Sequence, residues 1–301
     1  MTEPYGWPVS LLPPDLDEWR RTGDVRRVAG RDVWVRDEGA GETPVVLLHG
    51  FPGSAHDWAG VLPALSARGR VVVLDLPGYG LSSKDRRADY SLFTQADVVE
   101  ALLADLGIER CVLVAHDMGD TVTAELLARV NAGTLGLDVS QVVLTNGSIF
   151  IDQAVLTRGQ RLTLRLPARP LPFSLPEAVL RRSLAESFAP GAPAPAGAIE
   201  ALMAMIRHDG GDRLTPVLIR YIEERRRHQD RWTAALVDYA GPLTLLWGEQ
   251  DPIAVVSMAH HLAALRPATD VRTFAHLGHW PATEAPDVVA AALLDVLGDV
   301  A

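Results

Sequence analysis

Cys111-Val112-Leu113-Val114-Ala115-His116-Asp117-Met118-Gly119 reads as a buried strand that turns directly into a helix. Its apolar run is continuous rather than alternating, as in a strand covered on both faces. A strand that bends sharply into a helix forces the corner residue into a strained backbone conformation and needs small neighbours, which Ala115 and Gly119 provide. The corner residue is Asp117, a carboxylate. The free amides and positive dipole end of the following helix favour its ionised, nucleophilic form. Its plainer role would be a helix N-cap.

Working outward, short β-branched runs recur at residues 45–48, 71–74, 142–144, 243–247 and 271–274, with helical spacing of apolar positions at 96–106, 121–130 and 288–297. This alternation predicts an α/β architecture around a mainly parallel sheet. Ahead of it, residues 25–28 and 33–35 flank Ala29-Gly30-Arg31 and read as an opening antiparallel hairpin. Strands stop after Asn146 and resume at Leu243. The interval is rich in Leu, Arg, Ala and Pro, so residues 1–148 and 241–301 are expected to form the core and 149–240 an inserted helical cap. Within the cap, residues 190–197 form a Pro/Ala/Gly tract that reads as a loop, and 217–227 as a helix. Arg225, Arg226 and Arg227 read there as a solvated helix face.

Three further motifs sit where loops leave strands. His49-Gly50-Phe51-Pro52-Gly53 is a tight loop whose Phe51 N–H, with that of Met118, would form a two-donor oxyanion hole. Gly248-Glu249-Gln250-Asp251-Pro252 and Gly278-His279-Trp280-Pro281 fall at strand carboxyl ends, where open α/β sheets collect ligands. Asp251 could orient and charge-stabilise His279 as a general base. Alone, each would be a turn aspartate or a loop histidine. The remaining histidines, among them His56, His208, His228, His260, His261 and His276, lack such context, and no metal site is expected.

With 301 residues, 48% hydrophobic and 22% charged, the chain can bury a large core, which excludes disorder and small disulfide scaffolds. A net charge of -10, with no basic stripe evident, argues against nucleic acid as a partner. The single cysteine, Cys111, reads as a buried, inert thiol. Met1 to Arg21 lacks the layout of a secretory signal, so a cytoplasmic location is expected. No apolar run is long enough to cross a bilayer, and no membrane partner is expected.

Taken in order, these motifs resemble the α/β-hydrolase superfamily and, within it, the epoxide hydrolases and haloalkane dehalogenases that use an aspartate nucleophile. The resemblance covers nearly the whole chain and includes Asp75-Leu76-Pro77-Gly78-Tyr79-Gly80. It implies an α/β-hydrolase fold with an eight-stranded sheet flanked by helices, no cofactor, and Asp117, Asp251 and His279 as the catalytic set. Haloalkane dehalogenases cradle halide with a tryptophan after the nucleophile and often an Asn in the His-Gly loop. Met118 and Phe51 occupy those positions and offer no side-chain N–H. Fluoroacetate dehalogenases share Phe51 but place an arginine where Met118 stands.

Epoxide hydrolases instead protonate the departing oxygen from a cap tyrosine, and Tyr221 has a similar placement. The second cap tyrosine they commonly carry has no counterpart between Phe150 and Ile219, leaving His208 or water as a substitute, or Tyr221 acting alone. Residues 144–150 and 221–232 also resemble mesoderm-specific-transcript-like proteins. The resemblance therefore implies hydrolysis of a small hydrophobic epoxide to a vicinal diol through an ester on Asp117. A dehalogenase with the same triad and a non-catalytic binding protein are the alternatives; a serine-type esterase is disfavoured by Asp117 itself. His49, His116, Phe150, His208 and Trp280 are the expected substrate contacts, with Leu166, Phe173 and Met205 as apolar pocket candidates. A homodimer is left open.

Overall fold

The computed structural model describes residues 12–298. Its eight strands are β1 (Asp24–Val28), β2 (Arg31–Glu38), β3 (Val45–Leu48), β4 (Val71–Leu74), β5 (Arg110–His116), β6 (Asp138–Thr145), β7 (Leu243–Gly248) and β8 (Asp270–Phe274). They form one sheet in the order β1-β2-β4-β3-β5-β6-β7-β8. β1 and β2 are the expected edge hairpin; β2 runs antiparallel to β4, and every later pairing is parallel. The fold is that of an α/β hydrolase. β5 lies inside the sheet between β3 and β6, so its carboxyl end opens at the centre of the upper edge.

The strand residues sort by parity. Val46, Leu48, Val72, Leu74, Leu113, Ala115, Val142 and Leu144 enter one core cluster, whereas Val45, Leu47, Val71, Val73, Val112, Val114 and Val143 enter the other. Successive side chains point to opposite faces of a strand, so runs apolar at every position need cover on both sides. α1 (Pro14–Arg21), α2 (Leu62–Ser66) and, after the helices described next, the carboxyl-terminal helix cover the second cluster. α3 (Leu92–Asp105) and α4 (Met118–Asn131) cover the first.

Between β6 and β7 there is no strand. That interval holds α5 (Arg158–Leu164), α6 (Glu177–Ala185), α7 (Ala198–Arg207), α8 (Thr215–Leu218) and α9 (Tyr221–Asp238). The helix expected over 217–227 is two helices: α8 ends at Leu218 and α9 starts at Tyr221. α9 lies along α4. Glu125 of α4, buried, accepts from Arg231 Nε at 2.8 Å and Trp232 Nε1 at 2.9 Å. Trp280 joins Leu180, Leu184, Phe188, Leu202, Met203 and Ile206 in a third cluster that ties these helices to the sheet's upper edge. α10 (Ser257–Leu265), α11 (Pro281–Glu284) and α12 (Pro286–Leu297) complete the chain.

Candidate active site

Asp117 closes the corner between β5 and α4 with φ 47° and ψ -107°, a conformation that L residues avoid and that local packing must hold. Two glycines make room for it. A Cβ on Gly119 would stand 2.7 Å from the Leu48 carbonyl oxygen, and one on Gly50 would stand 2.6 Å from Asp117 Cβ. The Asp117 carboxylate is almost wholly buried. Its Oδ2 accepts from the Phe51 N–H at 3.0 Å. The Met118 N–H, first of α4, has no partner in the helix ladder.

Arg225 of α9 accounts for how this buried charge is tolerated. Its Nη2 donates to the Asp117 carbonyl at 2.6 Å and its Nε to Thr121 Oγ1 at 2.7 Å, while Nη1 lies 3.4 Å from Asp117 Oδ1. Burial alone would push the Asp117 carboxyl up. The Arg225 guanidinium foremost, then His279, His116 and the Phe51 amide, hold it below the usual carboxylate range. The expected solvated face is therefore corrected at Arg225, which is 3% exposed and ion-paired at the corner. A signal existed: Arg225 follows Tyr221 by four residues, so the two share a helix face.

Arg225→Met should leave Asp117 as an uncompensated buried anion, costing about 3 kcal/mol of stability at neutral pH. A carboxyl held low in the fold contributes stability above its unfolded pKa, and that contribution is lost as pH falls. The deficit of the variant, measured by urea denaturation, should therefore shrink in acid.

His279 and Asp251 meet as expected, with His279 Nδ1 2.8 Å from Asp251 Oδ2. The other Asp251 oxygen accepts from the amides of Ile253 and Ala254 at 2.7 and 2.9 Å. Burial disfavours the charged His279 ring, but Asp251 and then Asp117 outweigh it and raise its pKa above the ordinary value. Asn146, which the sequence reading passed over, sits at the end of β6 with φ 46°. Its Nδ2 donates to Asp251 Oδ2 at 2.8 Å and to the Gly278 carbonyl at 3.2 Å, joining the two loops. His116 braces the same histidine, its Nε2 being 2.7 Å from the His279 carbonyl. Burial and the His279 charge push His116 down to about 4, so it stays neutral.

Above His279 lies a cavity of about 320 Å³. Phe51, Ile253, His279 and Trp280 form its floor; Leu162, Leu166, Val179, Leu184 and Ile219 are among its walls. Asp117 is not in that lining. It lies beneath Phe51, whose ring is 5.3 Å from that of Tyr221, which in turn is 4.8 Å from the Arg225 guanidinium.

The Tyr221 hydroxyl bonds to no group among the described residues, yet it is not among the sealed polar atoms. Burial and the Asp117 charge raise its pKa far above the phenol value, so it remains a proton donor. Tyr79 also feels the Asp117 charge, but its hydroxyl donates to Met118 Sδ at 3.2 Å.

Several expected substrate contacts lie elsewhere. His49 is fully buried, its Nδ1 2.9 Å from the Gly50 carbonyl and its Nε2 accepting from the Leu76 N–H, so it braces the loop. Phe150 stacks on His261 at 4.1 Å, outside the cavity lining. His208 pairs with Asp209, and burial, Lys84 and Arg20 depress it to about 3. Met205 belongs to the sheet's second cluster and Phe173 is 60% exposed; neither lines the cavity. Trp280 does line it, but its Nε1 is taken by Ser187 Oγ at 2.7 Å.

A strained corner facing a loop amide, with a buried acid–histidine pair across the sheet edge, is the arrangement of an α/β hydrolase. The alpha/beta hydrolase family's sequence pattern matches residues 45–292, and the chain belongs to that family. LipZ of Mycobacterium tuberculosis H37Rv is 38% identical, over 96% of this chain and all of LipZ. The mouse mesoderm-specific transcript protein is 33% identical over 93% of this chain and 87% of its own length. Among solved structures, an alpha/beta hydrolase fold protein from Burkholderia ambifaria aligns with a TM-score of 0.75 at 25% identity, covering 90% of this chain and 97% of that one.

Proposed function

We propose that this chain is an epoxide hydrolase that forms an alkyl ester on Asp117, with residues 149–240 acting as a lid. Tyr221 is the observation that carries the reading: a protonated phenol with no hydrogen-bond partner among the described residues, on the same helix face as the arginine that holds Asp117 ionised. An epoxide oxygen leaves as an alkoxide and needs such a proton. A halide needs none, and the one indole on the cavity floor, that of Trp280, is already engaged with Ser187.

Asp117 Oδ1 is the attacking oxygen, because Oδ2 is held by the Phe51 amide. At 3.4 Å the Arg225 contact with Oδ1 is long for a hydrogen bond and leaves a lone pair for attack. Oδ1 bonds to a ring carbon, the carbon–oxygen bond breaks, and the alkoxide takes the Tyr221 proton. His279 Nε2 then removes a proton from water, which adds to the ester carbonyl. The resulting oxyanion develops at Oδ2, between the Phe51 and Met118 amides, each worth roughly 3 kcal/mol of barrier. Collapse breaks the bond between Cγ and Oδ1, the departing diol oxygen takes the proton of the hydroxyl that water delivered, and the carboxylate is restored; the proton on His279 returns to Tyr221 through solvent. Because the carboxylate lies under Phe51, the Phe51–Tyr221 ring pair must part as substrate descends from the cavity.

The cavity lining among the described residues carries no charged side chain besides His279, which favours neutral, lipophilic substrates. Tyr221→Phe should slow ring opening about a hundredfold while leaving ester hydrolysis intact. A panel of aryl and alkyl epoxides beside matched haloalkanes tests the reading. Diol formation that falls in Tyr221→Phe supports it; halide release without diol, indifferent to Tyr221, contradicts it.

A further inference from the structure

We propose that the outer face of residues 155–182 docks on an anionic lipid bilayer. Large exposed apolar side chains are few among the described residues, and five of the eight fall in this stretch: Val155, Leu162, Leu166, Phe173 and Val179. They are not scattered, since Leu162, Leu166 and Val179 all line the walls of one cavity while remaining exposed. α5 buries no residue fully: Leu164 packs in part against the core, but Leu162 is left 61% exposed. Such concentration of exposed apolar surface marks an interaction site rather than ordinary surface composition.

Charge selects the occupant. The stretch carries six arginines against a single acid, Glu177, in a chain whose net charge is -10; Arg181 and Arg182 are paired with Glu177, Glu200 and Glu186, which leaves the positive charge to the other four. Arg158, Arg165 and Arg169 are exposed and have no carboxylate partner among the described residues. On α5 and its cap, Arg158, Arg161, Leu162 and Arg165 follow the spacing of one helix stripe, so cations and an apolar side chain lie side by side.

Leucine and phenylalanine flanked by arginines is the pattern of a surface that lies in the interface of a membrane with anionic headgroups. A second copy fits poorly, because a two-fold contact through this face would set each arginine cluster against its own image. The expectation of no membrane partner followed from the lack of a spanning segment; a surface that rests on a bilayer needs none. The exposed cavity walls would then face the acyl region, and a lipophilic substrate would enter from lipid. That last consequence rests on the cavity being the substrate pocket, whereas docking does not.

The test uses the full chain and no substrate, so its failure is separate from that of the proposed reaction. Co-sedimentation is measured with vesicles of phosphatidylcholine alone and of phosphatidylcholine containing about 30 mol% phosphatidylglycerol. Binding is expected to the anionic vesicles only and to be released at about 0.5 M salt, where the screening length falls to roughly 4 Å. The variant Arg158→Gln/Arg165→Gln/Arg169→Gln should bind about a hundredfold more weakly, and Phe173→Ser should also weaken binding, with the melting temperature of each unchanged. No binding, equal binding to neutral vesicles, or undiminished binding by the triple variant overturns the proposal. So does a concentration-dependent dimer that Phe173→Ser dissolves.

Discussion

Asp117→Asn should abolish diol formation, lowering kcat by at least about a thousandfold, because the amide cannot supply the anionic oxygen that attacks carbon. Asparagine keeps the shape of the side chain and tolerates positive φ better than most residues, so the corner should survive. The Phe51 amide can still donate to the asparagine oxygen, and Arg225 still reaches the residue's carbonyl. Substrate should accordingly still enter the cavity, and an epoxide should protect the variant against heat as it protects the wild type. If instead the variant turns over unimpaired, with the substitution confirmed by mass, the carboxylate is a helix cap and the reaction lies elsewhere.

His279→Gln should produce a different failure: one rapid turnover followed by arrest, with the alkyl ester retained on the protein. The first step needs Asp117 and Tyr221, whereas only the second needs a base. Wild-type enzyme should show the same split with pH. In the free enzyme Asp251 and Asp117 hold the His279 pKa above its usual value; in the ester only the Asp251 contribution remains, and water activation, which needs the neutral ring, weakens as pH falls through the His279 pKa. Asp117 stays ionised well below it, so ester should accumulate in mildly acidic buffer. Esterification itself assists the second step. In the proposed mechanism it would neutralise Asp117, remove one of the charges that raise His279, and so free the base when it is needed. Quenched-flow mass measurement across pH reads this directly; a burst that disappears in acid would contradict it.

What was legible in the sequence was whatever local pattern alone determines. The continuous apolar runs at residues 45–48 and 111–114 named strands buried on both faces, and the small residues around Asp117 named the corner. Asp251 and His279 were legible because each follows a strand at the sheet's carboxyl edge. Which way a side chain points across a tertiary contact was not. His49 sits in the same loop as Phe51 yet turns inward to the Leu76 amide, and nothing in the loop's sequence says so. Arg225 looked like its neighbours Arg226 and Arg227 because a run of arginines is ordinarily solvated. Only the packing of α9 on α4, fixed by the buried Glu125, turns it toward the one anion at the corner. Asn146 was hidden for a related reason: its work is to join two loops distant in sequence, at residues 248–251 and 278–279.

The central claim is that an oxygen of Asp117 becomes bonded to substrate carbon. It is tested most directly by a single turnover in heavy-oxygen water, with enzyme in excess over a hydrophobic epoxide, followed by mass analysis of product and of the peptide that contains Asp117. Attack through the carboxylate predicts an unlabelled diol, whose new oxygen came from the protein, and one heavy oxygen in the Asp117 side chain. A labelled diol beside an unlabelled Asp117 would mean that water opened the ring itself.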